Sequence, residues 1–228
     1  MDPPPTSKPA TDSHRSPLFL RHIISLDTSL SHSLHTLTKP ILPQFLLHLL
    51  ELSADFRFFF PVTLSTFLAT PSSSPLRTQF LSPLIICSLL DLFVIALVKF
   101  LVGRSRPIYN NHGKYKAVVS VDNFSFPSGH SSRVCSIASL FYLSESAIID
   151  AVAGLKAEGR GGVGLVIDGW IGGDEVRAVN FLILFVWMWA IVTSLSRVFL
   201  GRHFVLDVFV GAALGVLEAL FTFHFLRY

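Results

Sequence analysis

Charge is scarce in this chain. Only 14% of its 228 residues are Asp, Glu, Lys or Arg, against about 25% in soluble domains. Too few groups are present to keep a folded surface wet. Cysteine is nearly absent as well. Cys87 and Cys135 both lie inside apolar runs, where cysteine is ordinarily a small buried hydrophobe, and nothing in their spacing suggests a disulfide or a metal site. The chain lacks a basic run, a base-stacking motif and a groove-reading module, which excludes nucleic acid as a partner. The net charge of +3 and the pI near 9.0 suit an anionic lipid surface or substrate instead. No basic start followed by an apolar core and a small-residue cleavage site is present near residue 1, so a secretory signal is not expected there.

Apolar sequence is abundant. Hydrophobic residues make up 51% of the chain, with 21 Phe and a mean hydropathy of +0.58. These values predict an all-helical integral membrane protein, a polytopic bundle with one membrane domain for this length. Residues 1–17, rich in Pro, Ser and Thr, read as a disordered tail. Over 18–39 the residues Phe19, Ile23, Leu26, Leu30, Leu34 and Leu37 recur at steps of three and four. That is one apolar stripe on a helix, read either as an interfacial helix or as one packed on the bundle. Residues 40–228 form the membrane domain.

Within that domain, 41–69 is apolar but interrupted by Glu51, Asp55, Arg57 and Pro61. It reads as one broken crossing or as two half-length pieces, because a full span needs about 20 apolar residues. Clear spans follow at 80–102, 134–155, 176–198 and 205–225, with a glycine-rich connection over 156–175. The polar motifs sit at the ends of these spans. The first span leaves at Lys99–Pro107 and the next enters at Pro127–His130. Two crossings later the chain leaves at Arg197 and enters again at His203–Asp207. All three motifs therefore fall at one membrane face, where ionisable groups are costly and by default functional.

Their chemistry fits phosphate. His203 and Asp207, four apart, share a helix face. A carboxylate on one ring nitrogen would fix the tautomer and leave the other nitrogen free to attack. Lys99, Arg106 and Arg197 can neutralise phosphoryl oxygens. Ser128 and Gly129, at a helix start, can aim backbone N–H groups at an anion, and His130 can protonate the leaving oxygen as general acid. Other polar residues have plainer readings. Lys39, Arg77, Lys156 and Arg177 read as interface anchors, His48 and His224 as hydrogen-bonded packing residues, and Arg104, Arg133 and Arg202 as a rim to the site.

The pattern Lys99-x6-Arg106-Pro107, Pro127-Ser128-Gly129-His130 and Ser196-Arg197-x5-His203-x3-Asp207 resembles that of the type 2 phosphatidic acid phosphatase superfamily. The resemblance covers 80–225 and matches every motif position. It implies His203 as a nucleophile forming a phosphohistidine, Asp207 orienting it, His130 as acid, and no metal or other cofactor. The stretch Val119–His130 and the short linker before it resemble the compact branch of polyisoprenoid diphosphate phosphatases and plant lipid phosphate phosphatases of the beta type. The expected function is removal of phosphate from a lipid, with a polyisoprenoid diphosphate favoured over phosphatidate or lysophosphatidate. The contrasting reading is a catalytically silent scaffold that binds lipid headgroups, and the intact histidines argue against it.

Counting 41–69 as one crossing gives an odd number of spans, which places the N-terminus on the motif side. Basic residues outside the motifs are slightly more numerous there (Lys8, Arg15, Arg21, Lys39, Lys114, Lys116) than opposite (Arg77, Lys156, Arg160, Arg177, Arg227). Positive loops mark the cytoplasmic face. The expectation is therefore a cytosol-facing site in an endoplasmic-reticulum-type membrane.

Overall fold

The long apolar runs become helices whose outer faces are apolar and whose inner faces carry hydroxyls. The structure, a computed structural model, describes residues 18–109, 123–157 and 173–226. The expected tail, most of the glycine-rich connection, and Lys114 and Lys116 lie outside the described residues. The helices are α1 (Leu18–Thr38), α2 (Gln44–Ser53), α3 (Phe56–Ala69), α4 (Ser82–Val102), α5 (Gly129–Leu143), α6 (Glu145–Ala157), α7 (Glu175–Phe199) and α8 (Val205–Phe225). A π-helical turn, Arg77–Leu81, leads into α4. Among the described residues three runs are long and apolar enough to cross a membrane, Arg77–Val102, α7 and α8, and the bent pair α5–α6 makes a fourth if it counts as one span. At about 1.5 Å per residue, even the 21 residues of α8 match the roughly 30 Å of hydrocarbon.

Phe93, Phe100, Phe181, Phe185 and Phe209 point outward, whereas Ser131, Ser132, Thr193, Ser196 and Thr222 are buried. This inverts the pattern of a soluble bundle and suits lipid outside with small polar residues between helices. At the centre α5 lies directly on α8. A Cβ at Gly211 would collide with the Ser128 carbonyl, and one at Gly215 with the Ser132 carbonyl. Gly211 and Gly215 thus form a small-xxx-small face that lets two backbones touch.

Two segments differ from simple spans. The expected crossing at 134–155 is not straight: α5 and α6 meet at a 69° bend. The break falls at Ser144, whose hydroxyl donates to the Gln79 carbonyl at 2.9 Å. That contact draws the chain toward the turn preceding α4. Segment 41–69 takes the two-piece form. Asp55 starts α3 by accepting from the Arg57 N–H at 2.9 Å. The Ala54 carbonyl, exposed by the break, accepts from Arg133 Nη1 at 3.2 Å, and Arg133 Nη2 donates to Asp91 at 3.2 Å. Arg133 is therefore not a rim cation. It is buried and serves backbone that lipid could not satisfy. The first piece reaches the motif end through Glu51, and the second ends at Thr70, whose carbonyl accepts from Arg77 at 2.8 Å.

Candidate active site

Gly103 ends α4 in the left-handed region at φ 60°, with its N–H on the Lys99 carbonyl at 2.9 Å. The chain leaves extended, and Ser105 pairs with Phe124 in an isolated antiparallel bridge. The Ser125 N–H donates to the Arg104 carbonyl at 2.8 Å. Ser125 Oγ donates to the Ser105 carbonyl at 3.0 Å. After the cis peptide Phe126–Pro127, Ser128 Oγ caps α5 by accepting from the Ser131 N–H at 3.4 Å and also accepts from the Ser131 hydroxyl at 3.0 Å. The first two motifs are thereby stitched together, and the third joins through the Ser128 N–H, which donates to the Asp207 carbonyl at 2.9 Å.

This last bond corrects one expectation. The Ser128 N–H is committed to Asp207 and is not aimed at an anion, because α5 and α8 begin at the same level. Gly129 has a packing reason to be glycine, since a Cβ there would stand 3.2 Å from the Ile95 side chain.

His203 lies in the turn between α7 and α8 and is 2% exposed. Its Nδ1 is 2.7 Å from the Ser125 carbonyl and 3.8 Å from Asp207 Oδ2. The expected carboxylate bond is replaced by a backbone one, and Nδ1–H donating to that carbonyl leaves Nε2 as the free lone pair. Burial lowers the His203 pKa to about 4. Asp207 opposes the shift, while Arg106 and Arg197 reinforce burial. The ring is therefore neutral at pH 7. His130 opens α5 with its Nε2 buried and unpartnered among the described residues. Arg197, His203 and Lys99 all lie within electrostatic reach of it.

The cations converge on the same end. Lys99 and Arg197 are 5% and 1% exposed, so neither is an anchor reaching into water. Arg106 Nη1 reaches the Arg202 carbonyl at 3.4 Å. Glu51, absent from the sequence reading of the site, lies 3.1 Å from Arg197 Nη1 and 3.3 Å from Arg202 Nη2. Glu51 is thus a partner to two arginines of the site.

Asp207 spends its carboxylate elsewhere. Oδ1 accepts from Arg104 Nη1 at 2.7 Å and Oδ2 from the Phe204 N–H at 2.9 Å. The other arm of Arg104, Nη2, reaches Asp27 of α1 at 2.7 Å, and its guanidinium lies 4.0 Å over the Phe204 ring. Arg104 is a bridge inside the site, not its rim. The available signals were an acid, Asp27, in a helix with an apolar stripe and another, Glu51, in an apolar run. The Ser125 carbonyl had no signal at all. Among the described residues no three His, Cys, Asp or Glu side chains gather as metal ligands would.

A helical bundle with buried cations and two histidines at one end defines a membrane protein that handles an anion. Residues 80–228 match the PAP2 superfamily. The chain belongs to that superfamily, and it is a phosphatase. It is 45% identical over 212 residues to a probable lipid phosphate phosphatase beta of Arabidopsis thaliana, covering 92% of this chain and 93% of that one. A solved structure with the same fold is the transmembrane PAP2-type phosphatidylglycerolphosphate phosphatase from Bacillus subtilis (TM-score 0.60, 17% identity, covering 88% of this chain and 84% of that one). Aquifex aeolicus LpxE is a second (TM-score 0.52, 18% identity, covering 89% and 96%).

Proposed function

We propose that this protein hydrolyses a lipid phosphate, with a polyisoprenoid diphosphate as the favoured substrate, through a phosphohistidine on His203. The observation that carries the reading is His203, held as a neutral imidazole with Nδ1 on a backbone carbonyl, at the same end of the bundle as His130 and buried Lys99 and Arg197. The Arabidopsis relative named as a lipid phosphate phosphatase supports the lipid class.

In this mechanism His203 Nε2 attacks phosphorus as the bond to the leaving oxygen breaks, and His130 supplies the proton that oxygen needs. Water then attacks the phosphohistidine, its proton returns to His130, and inorganic phosphate leaves. Lys99, Arg106 and Arg197 neutralise the equatorial oxygens, the part that metal ions take in many phosphoryl-transfer enzymes. Gly129, at the start of α5, gives the phosphate close approach to backbone. The test is phosphate release by purified protein from prenyl diphosphates, phosphatidate and sphingoid phosphates, each with and without EDTA. Activity should persist in excess chelator and fall with vanadate, which mimics the trigonal-bipyramidal transition state. Total loss in EDTA, restored by Mg²⁺, would overturn the metal-free mechanism. Turnover of phosphatidate at a higher kcat/KM than any prenyl diphosphate would overturn the substrate preference.

The site faces the cytosol of an endoplasmic-reticulum-type membrane in this reading. Supporting it, α1 touches the motif end directly through Asp27, so the N-terminal side of the chain and the site share one face. Cys87 and Cys135 are buried, which leaves a Lys116→Cys variant as the reactive thiol. An impermeant thiol reagent should label that variant in sealed microsomes. Labelling only after the membrane is opened would reverse the assignment.

A further inference from the structure

Helix α1 lies outside the segment that carries the three motifs, yet its buried residues are polar. Along it Phe19, Leu26, Leu30 and Leu37 are exposed, while Asp27 and Ser31 are 5% and 0% exposed. Those two side chains meet the start of α8. Asp27 Oδ1 accepts from the Leu206 N–H at 3.0 Å, and Ser31 Oγ from the Val205 N–H at 3.0 Å. The first N–H groups of a helix have no partner within it and need one when buried. Here another helix provides it. The turn just before α8 is held too: His35 Nδ1 lies 2.7 Å from the Phe199 carbonyl, and Gly201 packs under the rings of His35 and Tyr109.

Arg104 closes a circuit through this contact. Its guanidinium joins Asp27 to Asp207 in two bonds of 2.7 Å. Its main-chain carbonyl holds the Ser125 N–H, and the Ser125 carbonyl holds His203 Nδ1. His203 is thus fixed from both sides by one residue, through Ser125 at the ring and through Asp207 at the helix start. The circuit has two carboxylates and one guanidinium, so it carries one net negative charge beside a ring that becomes positive when its Nε2 takes a phosphoryl group. Loss of Asp27 removes that surplus charge and frees one arm of Arg104.

We propose that Asp27, acting through Arg104, is a positioning residue for His203, so that α1 completes the active site. This rests on the phosphohistidine reading above. It concerns the rate of phosphoryl transfer to His203, not binding of the lipid. Outer hydrogen-bond partners of metal-bound histidines are typically worth about 10–100-fold, and a loss of that size is expected for this histidine.

The experiment uses the full chain in detergent with a ³²P-labelled lipid phosphate and rapid acid quench, the rate being normalised to the number of sites that form phosphoenzyme. Asp27→Asn, nearly isosteric, should slow phosphoenzyme formation by roughly 10–100-fold with KM within about threefold. Arg104→Lys keeps the charge but cannot fork between two carboxylates, and it should lose a similar amount. The double variant should lose little more than either single one, because partners in one network are not additive. A normalised rate for Asp27→Asn within twofold of wild type would overturn the proposal, as would fully additive losses. Misfolding lowers the number of sites but not the rate per site, so the normalised rate remains decisive. His203→Ala is the control for the underlying reading. If it still forms phosphoenzyme, that reading fails; if it does not and Asp27→Asn is normal, only this inference fails.

Discussion

His203→Ala should form no trapped phosphoenzyme and lose turnover by several orders of magnitude, whereas His130→Ala should still form the adduct from a lipid monophosphate, but slowly. These are the expected results of a division of labour between the two histidines. Removing a nucleophile leaves what binding and charge stabilisation alone supply, about 10³–10⁴-fold over water in a covalent protease. Removing a general acid is typically worth about 10²–10⁴-fold, and that loss depends on the leaving group. A lipid alkoxide needs a proton and a phenolate of low pKa hardly does. His130→Ala should therefore form phosphoenzyme nearly as fast as wild type from p-nitrophenyl phosphate and much more slowly from a lipid monophosphate. Equal losses on both would remove His130 from the acid role. Burial lowers the His203 pKa to about 4, so the unprotonated fraction of the nucleophile is not limiting at pH 6–8. A fall in single-turnover rate with a single pKa near neutrality in His130→Ala would then have to come from another group, such as the substrate phosphate.

The spans and the site were legible to different depths, for physical reasons. The spans at α4, α7 and α8 could be read because a crossing needs a long apolar window, and such windows are visible in any order of residues. The motif residues could be read because they are costly charges at span ends. The bend at Ser144 could not, since it turns on a contact with the Gln79 carbonyl 65 positions away. The partner of His203 could not either. It is the main-chain carbonyl of Ser125, and any residue type carries one. Asp27 was visible as an acid in a helix with an apolar stripe, but an interfacial helix would present the same pattern with its acid toward water. Only the position of α8 shows that the acid faces inward and the leucines outward. Glu51 and Arg133 follow the same logic: each was a charge in or beside apolar sequence, and each is partnered by a charge distant in the chain.

Gly215→Ala carries the largest expected effect on the fold itself, and Gly211→Ala the largest indirect effect on the site. A methyl at either position would strike a backbone carbonyl of α5, Ser132 for the first and Ser128 for the second. A flexible side chain could swing aside, but a helix backbone cannot, so α5 and α8 must separate along their whole contact. Overpacking of a tight core costs about 1–3 kcal/mol where side chains can yield, and these two positions lie at or above the upper end. For a chain of this size about 3 kcal/mol lowers Tm by roughly 6–12 °C. The two variants differ in where the separation is felt. Gly215 lies nearly three turns into α8, beside Ser132. Gly211 lies one turn from Asp207, level with the residue whose N–H ties α5 to the Asp207 carbonyl. Separation there draws His203 away from Ser125 and His130, so Gly211→Ala should lose activity well below its own melting temperature. Gly154→Ala is the contrast. Its Cβ meets nothing within 4 Å, and alanine is about 1 kcal/mol the better helix former, so Tm should hold or rise. Thermal unfolding in detergent with parallel single-turnover rates distinguishes the three variants. Unfolding of Gly215→Ala at the wild-type temperature would mean that α5 and α8 are not in backbone contact.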